Sequence, residues 1–204
     1  MITIDEARQY YQNHESSHDF DHVLRVLALA ERIARAEGGD LEVVRAAALL
    51  HDVGRAQEEV TGEDHAVIGA ARAREILAGH PPEKVEAVVE AIASHRFRSG
   101  PPPETPEARA LFDADKLDAM GAVGIARAFA RAGARNRRLW VPLDVAAAQG
   151  DGTPEHTAVH EFVVKLSRLR EMMTTATGRA LAEERHAFMA EFFARLEAEV
   201  RGER

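Results

Sequence analysis

Four residues of the chain combine type and position suited to divalent-cation chemistry. They are His22, the adjacent pair His51-Asp52, and Asp115 in the run Phe112-Asp113-Ala114-Asp115-Lys116-Leu117-Asp118. Each falls on the apolar side of a helical repeat: His22 precedes Val26 by four residues and Asp115 follows Leu111 by four, so both project with core-facing neighbours. A carboxylate buried alone is costly or takes up a proton. Sharing a cation with imidazoles removes that cost, and neutral imidazole plus carboxylate suits Mn, Mg, Co, Ni, Fe or Zn. Structural readings compete at each position. An inward histidine can be a hydrogen-bonded core residue, and Asp115 can pair with Arg25 or Lys116. The His51-Asp52 pair closes the apolar run LEVVRAAALL, where two adjacent polar groups are hard to bury without a partner. Asp113 and Asp118 are read as solvent-facing or as groups supporting the ligands.

The elements that must position these residues are helical throughout. His22, Val26, Leu29 and Ile33 recur at helical spacing until Gly38-Gly39. Asp40 is placed to cap the next helix, which Gly54 breaks just after His51-Asp52. Asp64 caps a helix from His65 to about Leu77, and Val85, Val88, Val89, Ile92 and His95 share the inner face of the one after. Pro101-Pro102-Pro103 is the clearest linker, and Thr105-Pro106 opens a helix through Leu111, Asp115 and Ala119. Residues 134–156, which hold the only Trp, read as a long irregular loop or lid. The stretch 157–201 reads as two amphipathic helices broken near Gly178. No internal repeat, strand alternation or glycine-rich phosphate loop is present in the sequence.

Composition narrows the function classes. The 204 residues contain no cysteine, which removes disulfides, thiolate metal sites and cysteine nucleophiles. A net charge of −8 argues against tracking a nucleic-acid polymer, where Lys and Arg must displace counterions. An acidic chain still takes a small phosphorylated ligand if metal ions or a few arginines invert the local field. The N-terminal residues lack the blocks of a secretion signal, and no apolar run reaches the roughly 20 residues that span a bilayer. A cytoplasmic protein without membrane partners is expected, with a homo-oligomer open.

The order His22, His51-Asp52, Asp115 resembles the H…HD…D signature of the HD superfamily of metal-dependent phosphohydrolases. The stretches HDFDHVLRV, AAALLHDVGR, FDADKLDAMGAVGIARAF and HEFVVKLSRLREMMTTATGRALAEERHAFM are similar to small stand-alone bacterial and archaeal HD hydrolases. His18-Asp19 is a second "HD" that does not fit the ordered set. The resemblance implies an all-α, single-domain HD-type helical bundle over 1-204, with a metal-binding core at about 17-130 and C-terminal helices at about 157-201 packing on it. It implies one or two divalent ions per chain, the principal one held by His22, His51, Asp52 and Asp115. Some HD subgroups place further ligands where His65 and His95 stand, so a second ion or substrate is expected there; an exposed His65 and a core His95 are the plain alternatives. Asp52, Arg25 and Lys116 are the candidate catalytic residues, and Arg55, Arg96 and Lys165 the candidate phosphate contacts. His18, His156 and His160 are candidate supporting groups. Arg131, Arg135, Arg137 and Arg138 serve either a helix C-terminus or substrate capture.

Two departures limit the transfer. Cyclic-di-GMP enzymes carry Gly-Tyr-Pro after the late histidine, whereas this chain reads Arg96-Phe97-Arg98-Ser99-Gly100. Hydrolases of the guanosine tetraphosphate and nucleoside monophosphate type carry glutamate three residues past the HD aspartate, the position of Arg55 here, with Glu58 or Glu59 as candidate substitutes. The expected activity is hydrolysis of a phosphate ester, a nucleotide foremost, by a monophosphatase or a triphosphate pyrophosphohydrolase. A two-metal phosphodiesterase and a non-catalytic metal- or nucleotide-binding regulatory module are the alternatives.

Overall fold

A computed structural model describes residues 1–11, 20–96, 101–149 and 156–204, and among these the regular elements are all helical. The α-helices are α1 (Ile4–Arg8), α2 (Phe20–Glu37), α3 (Leu41–Leu50), α4 (Arg55–Thr61), α5 (His65–Ile76), α6 (Pro82–Ser94), α7 (Pro106–Asp118), α8 (Gly121–Ala134), α9 (Leu143–Gln149), α10 (Ala158–Val164) and α11 (Ala176–Val200). The chain divides into two compact units, Met1–Asp115 with Thr174–Gly178, and Lys116–Met173 with Arg179–Arg204.

The first unit is built around α3. Its side chains from Val43 to Leu50 are almost all buried, and it packs against α2, α6 and α1. Val26, Ala30 and Ile33 of α2 and Val88 and Ile92 of α6 are fully enclosed, as the periodicity predicts. Helix starts follow local capping chemistry. The Asp40 carboxylate accepts from the Glu42 amide at 2.8 Å, Asp64 from the Ala66 amide at 2.9 Å, and the Thr105 hydroxyl from the Ala108 amide at 3.2 Å. Gly38 at φ +85° ends α2 in a left-handed conformation that glycine adopts freely.

In the second unit α10 packs against α8 and α9. Phe162 of α10 stacks on Phe193 of α11 with centroids 4.4 Å apart, and Phe193 lies parallel to Phe129 of α8 at 6.2 Å. Two expectations are corrected here. Leu143–Gln149 is helical rather than irregular, in keeping with its three consecutive alanines, and Ala146 on its inner side is fully buried; residues 150–155 of the expected lid lie outside the described residues. The break in the C-terminal stretch falls at 173–175, and Gly178 sits inside the first turn of α11. Gly178 is there for space: a Cβ at that position would collide with the Asp113 carboxylate.

Candidate metal centre

His22 projects from the first turn of α2, and His51-Asp52 occupy the turn that closes α3. His65 opens α5 and His95 caps the end of α6. All five are at most 2% exposed. The turn from His51 to Gly54 can lie against α5 because both contact points are glycines. A Cβ on Gly54 would collide with the His65 carbonyl oxygen and stand 2.9 Å from the Gly69 amide. One on Gly69 would sit 3.1 Å from the His51 carbonyl. Arg72 of α5 fastens the same turn by donating to the Val53 carbonyl at 2.8 Å, and the buried Tyr11 hydroxyl donates to the Leu49 carbonyl at 2.9 Å.

The Asp52 carboxylate stands between two pairs of imidazoles. Its Oδ2 faces His51 Nε2 at 3.6 Å and His22 Nε2 at 3.7 Å, and its Oδ1 faces His65 Nε2 at 3.6 Å and His95 Nε2 at 3.8 Å. Within each pair the Nε2 atoms approach to 3.4 Å (His51 and His22) and 3.3 Å (His65 and His95). Asp115 joins the first pair, with Oδ1 3.4 Å from His22 Nε2.

Hydrogen bonds behind the rings set the tautomers. His51 Nδ1 lies 2.8 Å from the Ala48 carbonyl, His95 Nδ1 2.6 Å from the Ile92 carbonyl, and His65 Nδ1 2.8 Å from Glu58 Oε2. Each of those oxygens only accepts, so Nδ1 carries the proton and Nε2 presents its lone pair to the centre. Burial lowers His51 to about 4, opposed by the Asp52 charge, and burial together with Arg55 lowers His65 to about 4. Both rings are therefore neutral near pH 7, the form that binds a cation.

This donor set fits a divalent ion. Ligands held about 2.0–2.2 Å from one ion stand roughly 3–4 Å apart, which is the spacing found here. Among the described residues, His22, His51 and Asp52 form one group able to hold a metal, and Asp52, His65 and His95 form another. Lone pairs facing each other at these distances repel unless a cation or proton lies between them.

The surroundings of the centre are charged. Arg55, three residues past Asp52, brings Nε to 3.0 Å from Asp52 Oδ1 and Nη1 to 3.9 Å from Glu58 Oε2. Arg96 Nη1 donates to Glu58 Oε1 at 2.7 Å and lies 3.0 Å from Asp64. Burial pushes the Glu58 carboxyl up, but His65 and Arg96 outweigh it and hold the group below its ordinary value. Burial and the Asp52 charge hold the Tyr11 hydroxyl well above its ordinary value.

The other sequence-derived candidates are placed as follows. Arg25 and Lys116 are half-buried, on α2 and α7. Lys165 belongs to the second unit, where its Nζ meets Glu161 at 2.9 Å. There too, His156 meets Glu161 at 2.8 Å and His160 meets Gln149 Oε1 at 2.6 Å. Arg131, Arg135, Arg137 and Arg138 are exposed in and just beyond the last turn of α8. His18 and residues 97–100 lie outside the described residues.

Of the two readings of Asp113 and Asp118, the solvent-facing one is corrected: they are 0% and 1% exposed. Asp113 Oδ1 accepts from the Thr174 amide and hydroxyl, both at 2.9 Å, and Oδ2 from the Thr175 amide at 2.9 Å and hydroxyl at 2.6 Å. Asp118 accepts from Arg127 at 2.6 Å. Four donors satisfy one carboxylate two residues before Asp115, so α7 is tied to the start of α11. Tyr11 and Arg72 were missed by sequence reasoning. Neither has a local signal, and both act through contacts made across the fold.

A family model described as the HD domain matches residues 19–120. The protein YpgQ of Bacillus subtilis (strain 168) is 39% identical over 193 residues, which cover 92% of this chain and 86% of YpgQ. The crystal structure of Bacillus subtilis YpgQ in complex with ADP is 36% identical with a TM-score of 0.76, covering 98% of this chain and 99% of that one. The structure of an HD-superfamily hydrolase from Bacillus thuringiensis is 30% identical with a TM-score of 0.75, covering 97% and 94%. Likeness of this extent, together with the histidines and aspartates gathered around Asp52, places the chain in the HD domain family, as a YpgQ-like HD-superfamily hydrolase.

Proposed function

We propose that the chain is a divalent-metal-dependent phosphohydrolase acting on a small phosphorylated substrate, a nucleotide foremost, as a monophosphatase or a triphosphate pyrophosphohydrolase. The observation that carries this reading is the Asp52 carboxylate set between four imidazole Nε2 atoms within 3.8 Å. That the relative YpgQ was crystallised with ADP supports a nucleotide. Deep burial of the donor set supports a resident ion.

In this reading His22, His51, Asp52 and Asp115 hold the principal ion. Such an ion lowers the pKa of a bound water and neutralises phosphate charge. Asp52 orients the donor set on both sides. Arg55 offers its remaining N–H groups to a phosphate oxygen, and guanidinium matches phosphate geometry with paired donors. Arg25, on the same helix as His22, and Lys116, which follows Asp115 in the chain, are read as supplying further positive charge. His65 and His95, with Nε2 aimed at Asp52, orient water or substrate. The whole chain is read as one HD domain in the cytoplasm.

A second reading, a two-metal phosphodiesterase, draws support from the Asp52, His65 and His95 group. One experiment separates the readings. The purified chain is assayed against nucleoside mono-, di- and triphosphates and phosphodiesters, with Mn, Co, Ni and Mg supplied separately. Release of orthophosphate or pyrophosphate from nucleotides is expected. Turnover confined to diesters favours the second reading, and metal binding without turnover of any substrate leaves a regulatory module.

A further inference from the structure

Carbonyls near the end of α3 lose their intrahelical partners as the chain turns at His51, and other groups must replace them. The Ala48 oxygen takes the His51 Nδ1 proton at 2.8 Å, and the Leu50 oxygen accepts from the Val53 amide at 3.2 Å. Between these two lies the Leu49 carbonyl. The amide four residues on is that of Val53, which is turned to Leu50, and the donor that reaches Leu49 is the buried Tyr11 hydroxyl at 2.9 Å. The same hydroxyl hydrogen-bonds with the Asp52 backbone. A phenol both donates and accepts, so one oxygen atom pins the main chain on both sides of His51.

The Tyr11 ring makes a second connection. It packs on Phe20 with centroids 5.4 Å apart and planes at 58°. Phe20 is the first residue of α2, two before His22, and the Arg8 guanidinium lies 4.3 Å from its ring centroid. Tyr11 therefore touches both segments that deliver the first histidine pair, the turn with His51-Asp52 and the first turn of α2 with His22. Many buried tyrosines only fill space. The two contacts of Tyr11 end instead on segments whose side chains must be held within about 0.5 Å of their working positions to share a cation.

We propose that Tyr11 is a positioning residue of the metal centre: its hydroxyl fixes the backbone at His51-Asp52 and its ring fixes the start of α2, so that His22, His51 and Asp52 meet with their donor atoms 3.4–3.7 Å apart. Tyr11 acts through those three side chains and not on a substrate. The inference rests on the metal-dependent reading above, to which it adds a residue from the N-terminal segment.

The test compares chelator-treated wild type, Tyr11→Phe, Phe20→Leu and Ile33→Val. Each is followed by thermal melting, by calorimetric titration with Mn, and by visible absorption after loading with Co, whose bands report ligand geometry. Tyr11→Phe keeps the ring and removes the hydroxyl, whereas Phe20→Leu keeps the hydroxyl and removes the partner of the ring. Loss of a group that orients a ligand weakens metal binding about 10–100-fold. Both variants should show a loss of that size together with shifted Co bands. Ile33 is fully buried and about three turns along α2 from His22. Ile33→Val loses core packing and should melt lower with wild-type Mn affinity and Co bands, which separates positioning from stability. Wild-type affinity and bands in Tyr11→Phe overturn the inference and leave the phosphohydrolase reading standing; should Tyr11→Phe not fold, the same result in Phe20→Leu does so. An equal loss of affinity in Ile33→Val also overturns it. Wild type that binds neither Mn nor Co removes the metal-dependent reading, and the inference with it.

Discussion

Glu58 Oε2 accepts the Nδ1 proton of His65 at 2.8 Å, and this contact decides which nitrogen of His65 faces Asp52. The arrangement is a carboxylate holding an imidazole in one tautomer and one orientation. Glu58→Ala frees the ring, and turnover should fall about 10–100-fold. Glu58→Gln still presents an oxygen to Nδ1 and should recover most of the loss. Steady-state kinetics on both variants checks this, and a glutamine variant as impaired as the alanine one would show that charge rather than tautomer matters.

Removing the shared carboxylate should empty the centre. Asp52→Ala or His51→Ala is expected to lose bound metal and turnover while the helical core stays folded. Because an ion that binds only the native state raises its melting temperature by mass action, the wild-type melt should climb with added Mn and fall with chelator, and the Asp52→Ala melt should respond to neither. A metal-replete, active Asp52→Ala protein refutes the ligand assignment.

Asp113 should matter for stability rather than chemistry. Its carboxylate is the acceptor for four donors from Thr174 and Thr175. Asp113→Ala leaves buried amides and hydroxyls without partners, at a cost of about 3 kcal/mol. In a chain of this size that lowers the melting temperature by roughly 6–12 °C. Differential scanning calorimetry reads the shift directly; an unchanged melting temperature counts against the contact.

Gly54→Ala should disturb the centre from outside it. The added Cβ would collide with the His65 carbonyl, so α5 must move and carry His65 with it. Reduced turnover together with a lower melting temperature is expected, and Gly62→Ala, whose position is open but left-handed at φ +75°, should cost stability without touching turnover.

Acid should destabilise the metal-free protein. Burial lowers His51 to about 4, and burial with the Arg55 charge lowers His65 to about 4, whereas an unfolded histidine titrates near ~6.5. The unfolded state therefore binds more protons between those values. Stability from these groups is fully present above the unfolded value and is lost as pH falls towards the folded one. Urea midpoints of the chelated protein across this window should drop, and a flat profile would contradict the burial of neutral rings.

Much of this molecule is readable one residue at a time. Helix starts at Asp40, Asp64 and Thr105 are legible because a capping bond reaches only two or three residues along the chain. The buried faces of α2, α3 and α6 follow from spacing, and inward projection at helical positions singles out His22, His51, Asp52 and Asp115 as a candidate set. What sequence could not decide is set by contacts that close over long separations. Whether Asp113 faces solvent or supports its neighbours is open until Thr174, 61 residues later, is brought to it. Gly178 looks like a helix break until the same carboxylate is found where its Cβ would go. Leu143–Gln149 carries a local helical signal in its three consecutive alanines, and the structure adds that Ala146 packs inward. At the centre, sequence determined which residues could bind a cation. Only the tertiary structure decided that one oxygen of Asp52 faces His22 and His51 while the other faces His65, His95 and Arg55, because the charge at each oxygen depends on which helices deliver their side chains there.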